Sequence, residues 1–218
     1  IVVASSTEGL ALVWVTAQSA GLGTTIELLA DGSYAARLAL DSVDLPASQV
    51  LATGAQAESA LAAAYDEALV LCAVELQALA RRMHTMTLDY LRTRKQFGKL
   101  IGSFQSLQHR AVDMLIQQEL GAAIVAQAVA ALDAGCSASE RALLAARAKA
   151  RCSDAALLIG REAVQLHGAI GVTDDHDLGL FLQRALVLSA WLGNGSMQRR
   201  RVAAISRDAG AGTEESQS

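Results

Sequence analysis

The sequence has 218 residues, a formal net charge of −4, and 52% hydrophobic but only 4% aromatic side chains. That length suits one or two domains with a sizeable core, and the charge balance argues against a broad nucleic-acid surface. The apolar bulk is Ala, Leu and Val with a single proline, a composition that favours close-packed helices over a β-sandwich. Cys72, Cys136 and Cys152 are far apart and lack metal-ligand spacing. They point to a reducing, cytoplasmic setting and to no metal site. No run of about eighteen consecutive apolar residues occurs, so no membrane span is expected. The chain opens on Ile1 and enters a strand-like pattern at once, so an N-terminal part is expected to precede it.

Residues 1–55 read as the second half of a β domain. Leu10 to Thr16 is a short apolar strand. Thr25 to Leu29 leads into a turn at Ala30-Asp31-Gly32-Ser33, and Tyr34 to Leu40 continues the sheet. Two or three strands are too few to stand alone.

Residues 56–208 change to a helical period. Leu69, Cys72, Leu76, Leu79, Met83, Met86 and Tyr90 form one stripe. Leu107, Ala111, Met114, Gln118, Ala122, Val125, Val129 and Leu132 form a second. Leu144, Ala148, Cys152, Ala155, Ile159 and Ala163 form a third, opened by a capping box at Ser137 and Glu140. A shorter helix over about 177–190 follows, with Asp174, Asp175 and Asp177 placed to favour its start. A last helix runs from about Ser196, the expected N-cap, to Ser206. Long helices on short loops predict an antiparallel bundle. Residues 209–218, rich in Gly, Ser and Glu, predict a disordered tail.

Three stretches carry possible chemistry. In "RTRKQFGK", Gly98 reads as a helix stop, and Arg92, Arg94 and Lys95 as cations of the last turn. The alternative is an anion site, with Arg94 offering its fork to a phosphate and Phe97 covering a flat ring. In "QLHGAIG", two glycines three apart permit close backbone approach to a ligand, while His167 reads as structural. His84 and His109 read as isolated surface or interface residues. The third stretch is "AWLGNGSMQR", a tight loop between two helices.

Taken together, "RKQFGKLIGSFQSLQH", "QLHGAIGVT" and "LGNGSMQR", in this order and spacing, resemble the acyl-CoA dehydrogenase family over nearly the whole chain. The resemblance implies an α+β, mostly α fold: a partial β-barrel segment followed by the family's antiparallel four-helix-bundle C-terminal domain. It implies FAD as cofactor, with Arg94, Gln96, Phe97, Gln165, Leu166, Gly168 and Gly171 on its ADP half, across a subunit interface. The reaction it implies is α,β-dehydrogenation of an acyl-CoA thioester, with a carboxylate as base. Many members carry that base as a glutamate where this chain has Leu192. Others carry it on the first long helix, where the spacing from Arg94 points to Ala68, with Glu67 one residue away as a displaced candidate.

Leucine and alanine accept no proton. The chain therefore resembles the non-catalytic subunit of the heteromeric enzymes of bacterial sterol degradation. That resemblance implies a homologous catalytic partner that supplies the glutamate, in a heterodimer or a heterotetramer with two copies of each subunit. The substrate would be an acyl-CoA, including steroid-derived ones, with no nucleic acid or membrane as partner. The alternatives are a self-sufficient dehydrogenase that uses Glu67 and a scaffold protein that has lost the flavin.

Overall fold

The computed structural model describes residues 1–7, 9–173 and 175–215. The chain divides into two compact units, Ile1–Tyr65 and Asp66–Ser218, so the division falls inside a helix.

The first unit holds two antiparallel sheets. β1 (Val2–Ser6), β2 (Gly9–Val13) and β5 (Val50–Thr53) form one, in the order β1-β2-β5. β3 (Leu22–Leu28) and β4 (Tyr34–Leu40) form the other. Leu29 and Ser33 close the β3–β4 hairpin, whose Asp31 carboxylate accepts from the Ser33 amide. Among the described residues the strands close no barrel. β1, where the strand-like opening pattern placed it, and β5 flank the strand expected over 10–16; the four residues of β5 are too few for the sequence to announce it.

The helices follow the predicted stripes. α1 (Gly54–Thr93), α2 (Gln105–Asp133), α3 (Ala138–His167), α4 (Leu178–Ala190) and α5 (Gly195–Glu215) are joined by short connections. α3 is the central helix and packs against α2, α4 and α5. Its small residues permit close approach: a Cβ on Gly160 would lie 2.6 Å from Leu182 Cδ1 of α4. Leu69, Leu76, Met83, Met114, Cys152, Ile159 and Leu178 are fully buried. Ser137 caps α3 as expected, its hydroxyl accepting from the Glu140 amide at 3.2 Å. Beside it, the α1 carboxylate of Asp66 is buried and paired with Arg141 of α3 and Arg201 of α5.

Several local expectations are corrected. Gly98 does not stop α1, which ends at Thr93. Phe97 and Gly98 instead turn a two-residue hairpin between β6 (Lys95–Gln96) and β7 (Lys99–Leu100), both with positive φ (54° and 77°). This is the turn whose twist suits paired strands. Only Arg92 of the three cations therefore sits in the last turn of α1. Asp177 precedes α4 without a capping side-chain bond; the Leu178 amide donates to His176 Nδ1 instead. Asp174 lies outside the described residues. Asn194, not Ser196, caps α5, because its Oδ1 reaches the Met197 amide at 3.0 Å. α5 continues to Glu215, past the composition change at 209, since an established helix gains one bond per residue added. Residues 216–218 of the expected tail lie outside the described residues. His84 is buried and hydrogen-bonded through Nδ1 to Gln118 Oε1 at 3.0 Å, whereas His109 is exposed.

α2 is long and apolar enough, by length and composition, to cross a membrane. Its inner face meets α3, and Val112, Leu115, Ile116 and Leu120 remain exposed on its outer face.

Burial pushes the Cys152 thiol up to about 12 from its ordinary 9.0. Between those values the folded chain holds a proton that the unfolded chain has released. The thiol's contribution is therefore complete below pH 9.0 and is lost as pH rises toward about 12. Cys152→Ala is expected to flatten the fall of urea-unfolding free energy above pH 9.0, compared with the wild-type chain. An unchanged slope would exclude this origin.

Candidate functional site

Two of the three motif stretches meet at one end of the helical unit. Tyr90 ends α1's buried stripe, and its ring stacks on His167 at the end of α3, centroids 4.6 Å apart. The Arg94 amide donates to the Tyr90 carbonyl, and the Ile101 amide donates to the Arg94 carbonyl, which fixes the base of the β6–β7 hairpin. Gly102, just beyond, packs so tightly that a Cβ would lie 2.7 Å from the Leu91 carbonyl oxygen. The hairpin that carries Arg94, Gln96 and Phe97 is thereby tied to the helix end that carries Gln165 to Gly168.

The side chains offered there are uneven. Arg94, Gln96 and Gln165 are exposed, and among the described residues no ion pair engages the Arg94 guanidinium. Phe97 is 89% exposed, its ring edge-on to Phe104 at 6.1 Å, with Lys99 over the Phe104 face. A ring this open leaves an apolar face that a flat group can cover. Gly168 ends α3 with φ 65° and ψ −142°, a conformation essentially restricted to glycine, and no atom lies within 4 Å of where a Cβ would be. Its backbone is open to a ligand. Gly171 is buried, and its Cβ position is filled by His167 Cβ and the Val164 carbonyl. Leu166 is buried too, so only its main chain can reach outward.

His167 is a structural residue. Its Nδ1 donates to the Ala163 carbonyl at 2.8 Å. Burial, against the opposing effect of that bond, lowers its pKa from the ordinary range and keeps the ring neutral. The His176 ring lies tilted against it, with centroids 4.7 Å apart and planes at 59°.

The third stretch lies elsewhere. Its loop is held by Lys149 in the first half of α3, through the Gly193 carbonyl. At a rise of about 1.5 Å per residue, α3 from Lys149 to His167 spans roughly 27 Å. The hairpin end and the Leu192 loop are thus two separate sites on one chain.

The loop does, however, meet the α1 segment that carries Ala68. Cys72, one turn after Ala68, donates through Sγ to the Leu188 carbonyl, one turn before Leu192, at 3.5 Å. The turns next to the two positions where the family resemblance looks for a base are therefore bonded to each other, and both positions are aliphatic. The acidic side chains nearby are engaged or turned away. Asp66 is clasped by Arg141 and Arg201. Arg184 holds both oxygens of Glu75, at 2.6 and 3.1 Å, and Arg199 holds Asp154. Glu67 is exposed and lines a groove of about 370 Å³ with Val70, Leu71, Val74, Val129, Leu132 and Asp133. At about 100° per residue, Glu67 projects roughly 140° around α1 from Cys72, away from the Leu192 loop.

The engaged carboxylates and the neutral His167 are features that sequence spacing did not expose. The only signal for Asp66 was an acidic residue inside an otherwise apolar stripe.

Comparison with known proteins identifies the family and the fold. The family described as acyl-CoA dehydrogenase, C-terminal domain, matches residues 57–206. Acyl-CoA dehydrogenase IpdE2 of Mycolicibacterium smegmatis is 35% identical over 139 residues, covering 64% of this chain and 42% of that protein. A variant of the Tcur3481-Tcur3483 steroid ACAD superposes with a TM-score of 0.85 at 27% identity, over 96% of this chain and 55% of that one. The ChsE4-ChsE5 complex of Mycobacterium tuberculosis shares the fold, with a TM-score of 0.84 at 24% identity over 93% of this chain and 54% of that one. The chain spans less than half the length of that IpdE2 relative. FAD is the cofactor of the family these matches identify. From its motifs, its helical fold and the match across the bundle, the chain belongs to the acyl-CoA dehydrogenase family.

Proposed function

We propose that this chain is the non-catalytic subunit of a heteromeric, FAD-dependent acyl-CoA dehydrogenase that acts on a steroid-derived acyl-CoA. One observation carries the reading: the α1 turn that follows Ala68 is bonded to the α4 turn that precedes Leu192, and among the described residues the carboxylates of Asp66, Glu75 and Asp154 are held by arginines. A general base must stand within hydrogen-bond reach of its proton. The base therefore comes from a homologous partner. The separation of the hairpin end from the Leu192 loop supports the same division, since each would belong to a different active site of the assembly.

FAD, when bound, supplies the acceptor for the substrate's β-hydride. The residues of this chain fit its ADP half. Arg94 would offer its exposed cation to the diphosphate, Gln96 and Gln165 would donate amide hydrogens, and the open main chain at Gly168 would allow close approach. Phe97 provides a face for a flat ring, while Leu166 and Gly171 shape the turn from within. The exposed apolar face of α2 is a surface that assembly would cover. The steroid assignment is supported by the similarity to the Tcur3481-Tcur3483 steroid ACAD.

The test is co-expression with a glutamate-bearing homologue. Full flavin loading and dehydrogenase turnover should appear with the pair and be absent from this chain alone. Glu67→Gln in the assembled enzyme should leave kcat within about twofold, whereas loss of the true base costs orders of magnitude. A Glu67→Gln enzyme that binds flavin but has lost turnover would establish the self-sufficient alternative.

A further inference from the structure

Lys149 is the largest fully buried side chain of the structure, with no exposed surface at all, and no part of the proposed chemistry uses it. Burying a lysine is costly unless its ammonium is fully paired. Here three acceptors meet its three protons: Ser153 Oγ at 3.1 Å, the Ser189 carbonyl at 3.1 Å and the Gly193 carbonyl at 3.2 Å. All three are neutral oxygens. The charge is offset by the carbonyl end of α4, where the helix dipole is negative.

Two of those bonds bracket Leu192. The final carbonyls of a helix lack partners within it, and in α4 each finds one. Val187 accepts from the Trp191 amide, Leu188 from Cys72 Sγ, Ser189 from Lys149 and Ala190 from the Gly193 amide. Beyond the helix, Gln198 Nε2 donates to the Leu192 carbonyl at 2.7 Å, and Lys149 takes the Gly193 carbonyl. Between these anchors Leu192 and Gly193 both hold positive φ, 57° and 91°. Left-handed backbone is strained for a leucine, and such strain persists only where the surroundings over-determine it.

We propose that Lys149 is the positioning residue of this loop: its buried ammonium, bonded to the Ser189 and Gly193 carbonyls, locks Leu192 in the left-handed turn and so fixes the wall this chain presents. That the wall faces the reaction centre rests on the function proposed above; the lock itself does not. A loop held from both sides of Leu192 in this way is an element of site shape.

The full-length chain tests the lock by hydrogen exchange read by mass spectrometry. Lys149→Met should speed exchange of the amides over 190–195 by about tenfold or more, with α2 and the first half of α3 still protected. Ser153→Ala removes a bond at the same buried point but none to the loop, and should leave those amides within about twofold. Unchanged loop exchange in Lys149→Met, or a uniform rise through the whole helical unit, would reduce Lys149 to a core residue and overturn the proposal.

A readout in the wild-type chain covers the case in which Lys149→Met does not fold. The sequence has only Lys95, Lys99 and Lys149. In ¹⁵N-lysine-labelled protein, one slowly exchanging ammonium should show couplings to the Ser189 and Gly193 carbonyl carbons, and absence of those couplings would also overturn the lock. In the assembled enzyme Lys149→Met should raise KM more than it lowers kcat. A loosened loop with both constants unchanged would uphold Lys149 as the lock and refute only the placement of the loop at the reaction centre.

Discussion

Asp66→Ala is expected to lower the unfolding free energy by about 3 kcal/mol or more. Asp66 is 1% exposed, and its two oxygens are divided between two helices. Oδ1 accepts from Arg201 Nη2 of α5 at 2.6 Å, and Oδ2 from Arg141 Nε of α3 at 3.3 Å. This one carboxylate ties α1, α3 and α5 together. Its removal takes a buried counter-charge from two guanidiniums whose side chains are 19% and 27% exposed. Breaking a buried pair from one side costs more than the pair contributes, because the remaining charge is only partly hydrated. Urea denaturation followed by circular dichroism gives the number. A loss below about 1 kcal/mol would place Asp66 among ordinary surface ion pairs and refute the clamp. Replacing Arg141 and Arg201 by methionine together with Asp66→Leu should recover much of the loss, since a buried ionic triad and a packed apolar one are often of similar stability.

Arg94→Ala should weaken FAD binding by the assembled enzyme roughly 10- to 100-fold, the range for losing a hydrogen bond to a charged group. The unfolding midpoint of the chain should stay where it was, because the guanidinium is exposed and engages no carboxylate among the described residues. Separation of the two readouts is the signature of a binding residue. Lysine at 94 should restore only part of the affinity, since a point charge replaces a planar fork. Fluorescence titration with FAD checks both variants. Unchanged affinity in Arg94→Ala would remove the hairpin from the cofactor site, and a parallel fall in stability would make Arg94 a structural residue.

Much of the molecule is legible along the sequence because its interactions are local. The helical stripes at Leu69, Leu76 and Met83, at Ala111 and Met114, and at Leu144, Cys152 and Ile159 became buried faces of α1, α2 and α3. The Ser137 cap formed as its spacing required. The motif order and the aliphatic residues at 68 and 192 are also sequence facts. They carry the family resemblance and the departure from it.

Other features depended on where distant backbone came to rest. Gly98 read as a helix stop because glycine suits both a helix end and a hairpin turn, and only the pairing of β6 with β7 decided between them. Asn194 and Ser196 are both good caps; the register of α5 selected the first. Composition does not distinguish a lysine in solvent from Lys149, whose three acceptors come from α3, α4 and the loop beyond. The sequence by itself determined which segments are helical, which family they belong to and that residues 68 and 192 are aliphatic. Only the tertiary structure decided that the turns beside Ala68 and Leu192 are bonded through Cys72 and Leu188, that Asp66, Glu75 and Asp154 are engaged by arginines, and that the loop is held by a buried lysine. The physical reason is range: periodicity and capping act within a few residues, whereas charge pairing and burial join groups separated by as many as 135 positions.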